Sequence, residues 1–362
     1  MHIGFQFFAD AGTLVNATGN YVNAYTGTTT AFDTTNKLTP TMKTFYDTQL
    51  LENARPELIF AQMAKKQALP RNHGKSVEWR KWNTLPEAET LTEGVIPTGQ
   101  KLGMSSMTKD LVQKGLYVTI SDQLELHAID NAILGATEEL GASGGMSIDK
   151  MVRNEVIGGT VKQLCDKVNA TTGAHTEVTS RDGMDTTSVL TPTEINKAVT
   201  TLKKAHAPTI NGKYVGIIHP SVAYDLRQSK EWIEAHKYAA VTELFNGEIG
   251  ELHGVRFIES TNQKVWNDST CPVKTAAGGS GTPAVYYSVY ATLILGKDAF
   301  AMIDPDGGTM EMIVKTKDEA GGPLNQFSTV GYKYEGAAKI LYEERMVRIE
   351  STSAYSATDP AN

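Results

Sequence analysis

The chain has 362 residues, 40% of them hydrophobic and 21% charged. That is long enough for two domains of ~100–200 residues each, and apolar enough to bury ordinary cores. Acidic side chains outnumber basic ones by 41 to 34, for a formal charge of −7. A protein that grips nucleic-acid phosphates leans basic, because each phosphate contact wants a cation, so the balance argues against sequence-specific reading of DNA or RNA. The two cysteines, Cys165 and Cys271, stand far apart and form neither a CxxC pair nor a disulfide framework, which fits folding in a reducing compartment. The opening MHIGFQFFADAG lacks the basic start of a secretory leader. The longest near-apolar run, 284–295, is too short for a bilayer, which takes ~20 apolar residues, so no membrane segment is expected.

Residues 1–38 carry only Asp10, Asp33 and Lys37 as charged side chains and show no sustained period, so they read as an extended arm. Thr39-Pro40 supplies a cap and a first-turn proline for a helix carrying Phe45, Tyr46, Leu50 and Leu51. Arg55-Pro56 interrupts it, and Leu58, Ile59, Phe60 and Met63 open a second short helix. Over 76–85, Val77 and Trp79 alternate with Glu78 and Arg80 as in a strand. The matching run, Leu116, Val118 and Ile120 against Tyr117 and Thr119, follows only after 25 residues, 86–110, without usable period. Loops beyond ~12–15 residues are uncommon inside compact domains, so this stretch reads as a projecting arm, with a surface loop lacking order as the alternative.

Leu124, Ile129, Ile133 and Leu140 mark a helix; Ile148, Met151, Val152, Val156, Leu164 and Val168 mark another, or its continuation. The glycines of 141–145 either separate the two or only weaken one long helix, at ~1 kcal/mol each against Ala, and Gly158-Gly159 adds a second weak spot. A second domain begins near Leu190. Thr191-Pro192-Thr193-Glu194 is a capping box with proline at the first helical position, predicting a helix to about His206. A strand over 214–218 follows, then a helix opened by His219-Pro220 and carrying Tyr224 and Leu226. The pattern continues with a strand over 255–258, a long Gly- and Ser-containing loop over 261–283, a buried strand over 284–295 and a turn at 304–308. Strand alternation returns in Met310, Met312 and Val314, in Val330, Tyr332 and Tyr334, and in Ala338, Ile340 and Tyr342. The class is mixed α+β, with a central insert over 190–305 and a first domain completed by C-terminal strands.

Motifs for chemistry mostly fail on inspection. Asn72-His73-Gly74-Lys75-Ser76 ends like a phosphate-binding loop, but Leu69 stands where its first glycine belongs and a strand follows instead of a helix. Gly141-Ala142-Ser143-Gly144-Gly145 satisfies the hydrolase elbow pattern, yet the elbow needs a strand before the serine, and 136–140 reads as helix. None of the eight histidines forms an HxxxH pair. His219, before Pro220, reads as structural because no partner in sequence makes it a base. Asp304 and Asp306 are candidate calcium ligands without the downstream glutamate of an EF-hand loop, so a plain turn is the simpler reading. Trp79 and Trp82, flanking Arg80 and Lys81, resemble a stacking platform for single strands. Glu78, Glu87, Glu89 and Glu93 surround them, so subunit packing explains the aromatics better. No cofactor, metal or catalytic residue is expected.

Several strings, in consistent order from about residue 38 to 350, resemble the phage N-four-type major capsid family. They are the run from Leu50 to Pro56 (LLENARP), Trp79-Arg80-Lys81-Trp82, and Leu85 followed by Thr92-Glu93-Gly94 and Pro97. Gly115-Leu116-Tyr117-Val118 and Ile217-Ile218-His219-Pro220 follow, then the run from Gly322 to Gln326 (GPLNQ) leading to Ala337 through Leu341 (AAKIL), and Met346 through Glu350 (MVRIE). The resemblance implies the Hong Kong 97-type tailed-phage capsid fold: an N-terminal arm, an extended β-hairpin loop, a peripheral domain with a long spine helix, and an axial domain. It places the arm and short helices at 1–70, the extended loop at 75–122 and the peripheral domain at 123–189 and 306–350. The axial domain then falls at 190–305 and a C-terminal tail at 351–362. It further implies a structural protein that self-assembles through hexamers and pentamers into an icosahedral shell around the phage genome. Such a shell works with a portal, and with scaffolding or decoration proteins in some cases, and is assembled in the host bacterial cytoplasm.

In physical terms, extended segments that cannot bury their own apolar residues become ordered on a neighbour. The expected inter-subunit contacts of the loop are Trp79, Trp82, Leu91, Val95, Ile96, Leu102, Met104 and Met107. Two rivals stay open: a bacterial nanocompartment shell of the same fold, and an α/β hydrolase resting on Ser143 alone.

Overall fold

The computed structural model describes residues 59–70, 74–88, 90–91, 93–94, 96, 99–127, 132–169, 172–236, 248–275, 284–305, 310–320 and 325–362. The expected arm over 1–38 and the helix opened by Thr39-Pro40 lie outside them. So do the turn residues 306–308.

A single helix, Ala132–Ile157, runs through all the glycines of 141–145. Its buried stripe is Thr137, Leu140, Gly141, Gly144, Gly145, Ile148, Val152 and Val156, a repeat of three and four residues that points one face at a core. The glycines belong to that stripe. A Cβ on Gly144 would stand 2.6 Å from the Met310 methyl and 3.6 Å from the Tyr332 ring, so a side chain there would require the end of Met310 to shift. The helix ends at Ile157, where Gly158 and Gly159 donate back to Glu155 and Val156. Arg348 then donates to the free carbonyls of Ile157 and Gly159, a cation at the negative end of the helix. Leu164 and Val168, read as helical from their spacing, lie instead in the short strands Lys162–Leu164 and Lys167–Val168.

That helix covers a five-stranded sheet. The strand Phe327–Ile340 runs through it, pairing antiparallel with Met310–Lys315, with Phe300–Pro305 and with Val112–Ser121. Lys65–Leu69 adds an edge parallel to Phe300–Pro305. The last two alternating groups of the C-terminal region are thus one 14-residue strand carried through Gly336. Tyr117 faces Gly331 across the ladder, where a Cβ would meet the Tyr117 Cβ at 2.6 Å and the Leu116 carbonyl at 2.9 Å. The short helix Ile59–Met63 packs Phe60 into the same apolar cluster.

The second sheet has seven strands, with Val289–Leu295 buried along its whole length between Met346–Ser351 and Tyr214–Ile218. Val255–Glu259 lies parallel to Tyr214–Ile218 and antiparallel to Glu248–Leu252. Lys162–Leu164 flanks Met346–Ser351, and Val265–Trp266 pairs with Val289–Leu295. Helix Pro192–Lys204 buries Ile195, Ala198, Val199 and Leu202 against it, capped by Thr191 as its sequence predicts. The expected long loop over 261–283 contains the strands Val265–Trp266 and Val273–Thr275, which are too short to leave a period. Cys165 and Cys271 are free and buried. No described helix is long and apolar enough to cross a membrane.

The third feature is a two-stranded hairpin, Ser76–Trp82 paired with Met104–Asp110 in register from Ser76↔Asp110 to Trp82↔Met104. This corrects the expected pairing of 76–85 with the run at Leu116: that run belongs to the five-stranded sheet. Met104–Asp110 escapes notice because its two methionines, three residues apart, fall on opposite faces and leave no apolar alternation.

Gly331→Val tests the close ladder. Forcing a branched side chain against backbone should destabilise the fold by about 1–3 kcal/mol in denaturant unfolding, whereas Gly99→Ala, in open space, should leave the midpoint unchanged.

Candidate assembly interface

The hairpin has two unlike ends, and alternation along its strands decides which side chains go where. At its root, Val77 and Trp79 point inward and pack with Leu69, Leu111, Ile303 and Ala337. Met107, opposite Trp79, is half-buried on the same side. Charged contacts complete the seat: Lys109 Nζ lies 2.8 Å from a Glu155 carboxylate oxygen at the end of the long helix, and Lys81 Nζ sits 5.2 Å from the centre of the Tyr342 ring. Lys339 reaches the other Glu155 oxygen at 3.5 Å. The outward face carries Glu78 and Arg80, paired at 3.1 Å in full solvent, where such a pair contributes little.

The far end is different. The strands close where Asn83 donates its backbone N–H to the Gly103 carbonyl, and the described residues of 84–103 form no regular structure. Trp82 is 65% exposed, Leu91 71% and Ile96 94%, and Leu85, Leu102 and Met104 are each about half exposed. Burying a large apolar side chain stabilises by about 1.5–3 kcal/mol, so leaving several together in water forfeits a substantial term. An apolar end left without cover by the described residues is the signature of an interaction surface. Of the expected contact residues, Trp82, Leu91, Ile96, Leu102 and Met104 thus stand exposed at this end. Trp79 and Met107 face the chain's own body, and Val95 lies outside the described residues. Leu85 joins the exposed group, although its strand-like setting gave no sign of it.

The remaining candidates for chemistry are structural in geometry. Ser143 lies in mid-helix instead of at a strand-to-helix turn, its hydroxyl 3.2 Å from the Tyr332 hydroxyl, so the elbow that the hydrolase reading required is not formed. His219 caps helix Pro220–Gln228 by accepting the Ser221 N–H at Nδ1, 3.2 Å away. Burial pushes its pKa down, against the opposing charge of Asp359. Asp304 lies within the strand Phe300–Pro305, and Asp306 is outside the described residues.

Asp166, His175 and Glu194 bring ligand atoms within 4.8 Å of one another. The cation position between the carboxylates is filled, however, by Lys197 Nζ, 2.6 Å from Asp166 and 2.8 Å from Glu194. Burial works against that charge, but the hydrogen bonds to both carboxylates hold the Lys197 pKa above the ordinary lysine value. Glu194 therefore serves this cluster, and Gln163 at 2.6 Å, instead of closing the capping box.

Two sheets, one long helix and a projecting hairpin with an uncovered apolar end can be set against known proteins. The capsid of Ralstonia phage GP4 superposes with a TM-score of 0.57 at 14% identity, over 83% of this chain and 88% of that one. The capsid of the Cyanophage P-SCSP1u gives 0.55 at 14% identity, over 83% and 89%, and Mycobacterium phage Che8 gives 0.51 at 16%, over 81% and 90%. These likenesses show the fold, the tailed-phage capsid fold of the Hong Kong 97 type. No curated protein sequence matches the chain. Residues 137–345, more than half of the chain, match the family described as phage capsid protein, which disfavours the nanocompartment alternative, and the chain belongs to that phage capsid protein family.

Proposed function

We propose that this capsid protein is the major building block of a phage head, and that each copy joins the shell by laying its hairpin end on a neighbour. The observation that carries the proposal is the exposure of Trp82, Leu85, Leu91, Ile96, Leu102 and Met104 among the described residues. Hexamers and pentamers of identical copies closing into an icosahedral shell are the expected use of such a contact. The shell encloses DNA without reading it, in keeping with the net charge of −7. It is assembled in the host cytoplasm, with a portal and, in some systems, scaffolding or decoration proteins. The role is structural, with no catalysis.

In this reading the five-stranded sheet and the long helix are the peripheral domain, and the seven-stranded sheet is the axial domain. On this reading Phe300–Pro305, paired in the five-stranded sheet, goes with the peripheral domain, and Met346–Ser351 and Lys162–Leu164, paired in the seven-stranded sheet, go with the axial one. We accordingly propose bounds other than 189, 305 and 350, and an extended loop that ends with its paired strand at Asp110.

Three outcomes follow. Purified protein should sediment as capsomers or closed shells of megadalton size; a 39.3 kDa monomer under every condition would contradict the proposal. Replacing Leu91, Val95 and Ile96 together with Ser should remove most of that assembly, each lost burial weakening the contact by about 1.5–3 kcal/mol, while circular dichroism stays that of the parent. Unfolding of the triple variant would place the hairpin end in a subunit core instead. Ser143→Ala should change neither particle yield nor appearance. An esterase activity abolished by that substitution would instead establish a catalytic role.

A further inference from the structure

Residues 352–362 form neither helix nor strand beyond a single bridge at Thr352, yet hydrogen bonds hold them at Thr352, Ser353, Ala354, Asp359 and Asn362. Thr352 donates to the Asp185 carbonyl at 2.7 Å and Ser353 to the Ser221 carbonyl at 2.9 Å, while the Ala354 N–H reaches the Asp225 carboxylate at 3.1 Å. Tyr290, in the buried centre of the seven-stranded sheet, donates to the Asp359 carboxylate at 2.6 Å. Burial alone would raise the Asp359 pKa, but the hydroxyls of Ser356, Tyr290 and Ser221 hold it below the usual carboxylate range. Ser288 and Asn267 both donate to the Asp359 carbonyl, at 2.7 and 3.0 Å. The segment thus runs along the end of the sheet where Tyr214–Ile218 finishes and Val289–Leu295 begins.

Its far end meets the long helix. Every polar atom of the Asn362 side chain is used: Oδ1 accepts from Arg153 Nη1 and from the Val265 N–H, each at 3.1 Å, and Nδ2 donates to the Gln263 carbonyl at 2.8 Å. Arg153 is 2% exposed and also donates to the Asn262 carbonyl at 2.8 Å. One turn earlier on the same helix, Asp149 accepts from Asn262 Nδ2 and from the Phe60 N–H, both at 2.7 Å. The pair Asp149 and Arg153 therefore gathers four separated pieces of chain: the long helix, the short helix Ile59–Met63, the loop at 262–265 and the end of the tail. A buried guanidinium that loses a partner keeps the cost of its desolvation, so each acceptor matters.

We propose that residues 352–362 act as a strap, with Asn362 as its clasp on Arg153, that fixes the angle between the seven-stranded unit and the long helix. This rests on the shell-building reading above. A symmetric shell closes only if every copy repeats the same rotation at its contacts. A unit free to rock on the helix would spread that rotation over a range of values. The apolar cluster beneath also joins the two units, through Ile217, Leu293 and Leu295. Losing the clasp therefore loosens the joint and does not separate it.

The test compares particles of the parent, Asn362→Ala, Arg153→Lys and the control Thr358→Ala, an exposed residue of the same tail. Hydrogen–deuterium exchange and the distribution of particle diameters by cryo-electron microscopy are read together. Both clasp variants should speed exchange over 262–266 and 352–362 by about tenfold or more, the scale of losing hydrogen bonds to a charged group. They should also broaden the diameters, while the control matches the parent. Unchanged exchange would show that the clasp bears no load. Faster exchange with one sharp diameter would show that the strap does not set the angle. A parent that forms no shells at all would instead overturn the shell-building reading, and the strap's role with it.

Discussion

The long helix Ala132–Ile157 lies on the strand Phe327–Ile340, with Gly144 against the Met310 side chain and the Tyr332 ring. Most of the architecture depends on that approach. It lets Leu140, Ile148, Val152 and Val156 share one apolar cluster with Val330, Tyr332 and Tyr334. It also carries Asp149 and Arg153 to the seam with the second sheet, and Glu155 to the root of the hairpin. Three faces of one helix thus fix the relation of the sheet below, the sheet beside and the arm beyond. Mid-helix glycines cost helix propensity, which the tighter packing offsets.

The hairpin is built on the opposite principle. Its root is held by an apolar seat and by Lys109, while its far end keeps large apolar side chains in water. Within one chain that arrangement is unfavourable. It becomes favourable when a second surface covers the end, because the gain grows with the apolar area removed from water. A protein of the phage capsid family has a supply of such surfaces in its own copies.

Local chemistry was legible before any coordinates. The Thr191 cap and the His219-Pro220 junction each announce an element by short-range rules, and each lies where expected, whereas the buried strand expected over 284–295 divides into Val285–Tyr286 and Val289–Leu295. What stayed hidden depends on partners distant in sequence. The glycines of 141–145 look like a break, yet they lie on the buried stripe of one helix, with Gly144 against Met310 and Tyr332. The strand Met104–Asp110 has no apolar face of its own and is defined by its partner Ser76–Trp82. Trp79 and Trp82 look equivalent in sequence, three residues apart, yet strand alternation sends one to the body and the other to solvent. The Asp149 and Arg153 pair left no signal, because its partners are Phe60, Asn262 and Asn362.

The most direct measurement is a cryo-electron microscopy reconstruction of particles assembled from this chain, at a resolution that places side chains. The account predicts that Leu91 and Ile96 are buried against an adjacent copy, while Trp79 remains packed on its own subunit. Shells in which the hairpin ends face solvent, or fold back onto their own subunit, would contradict it.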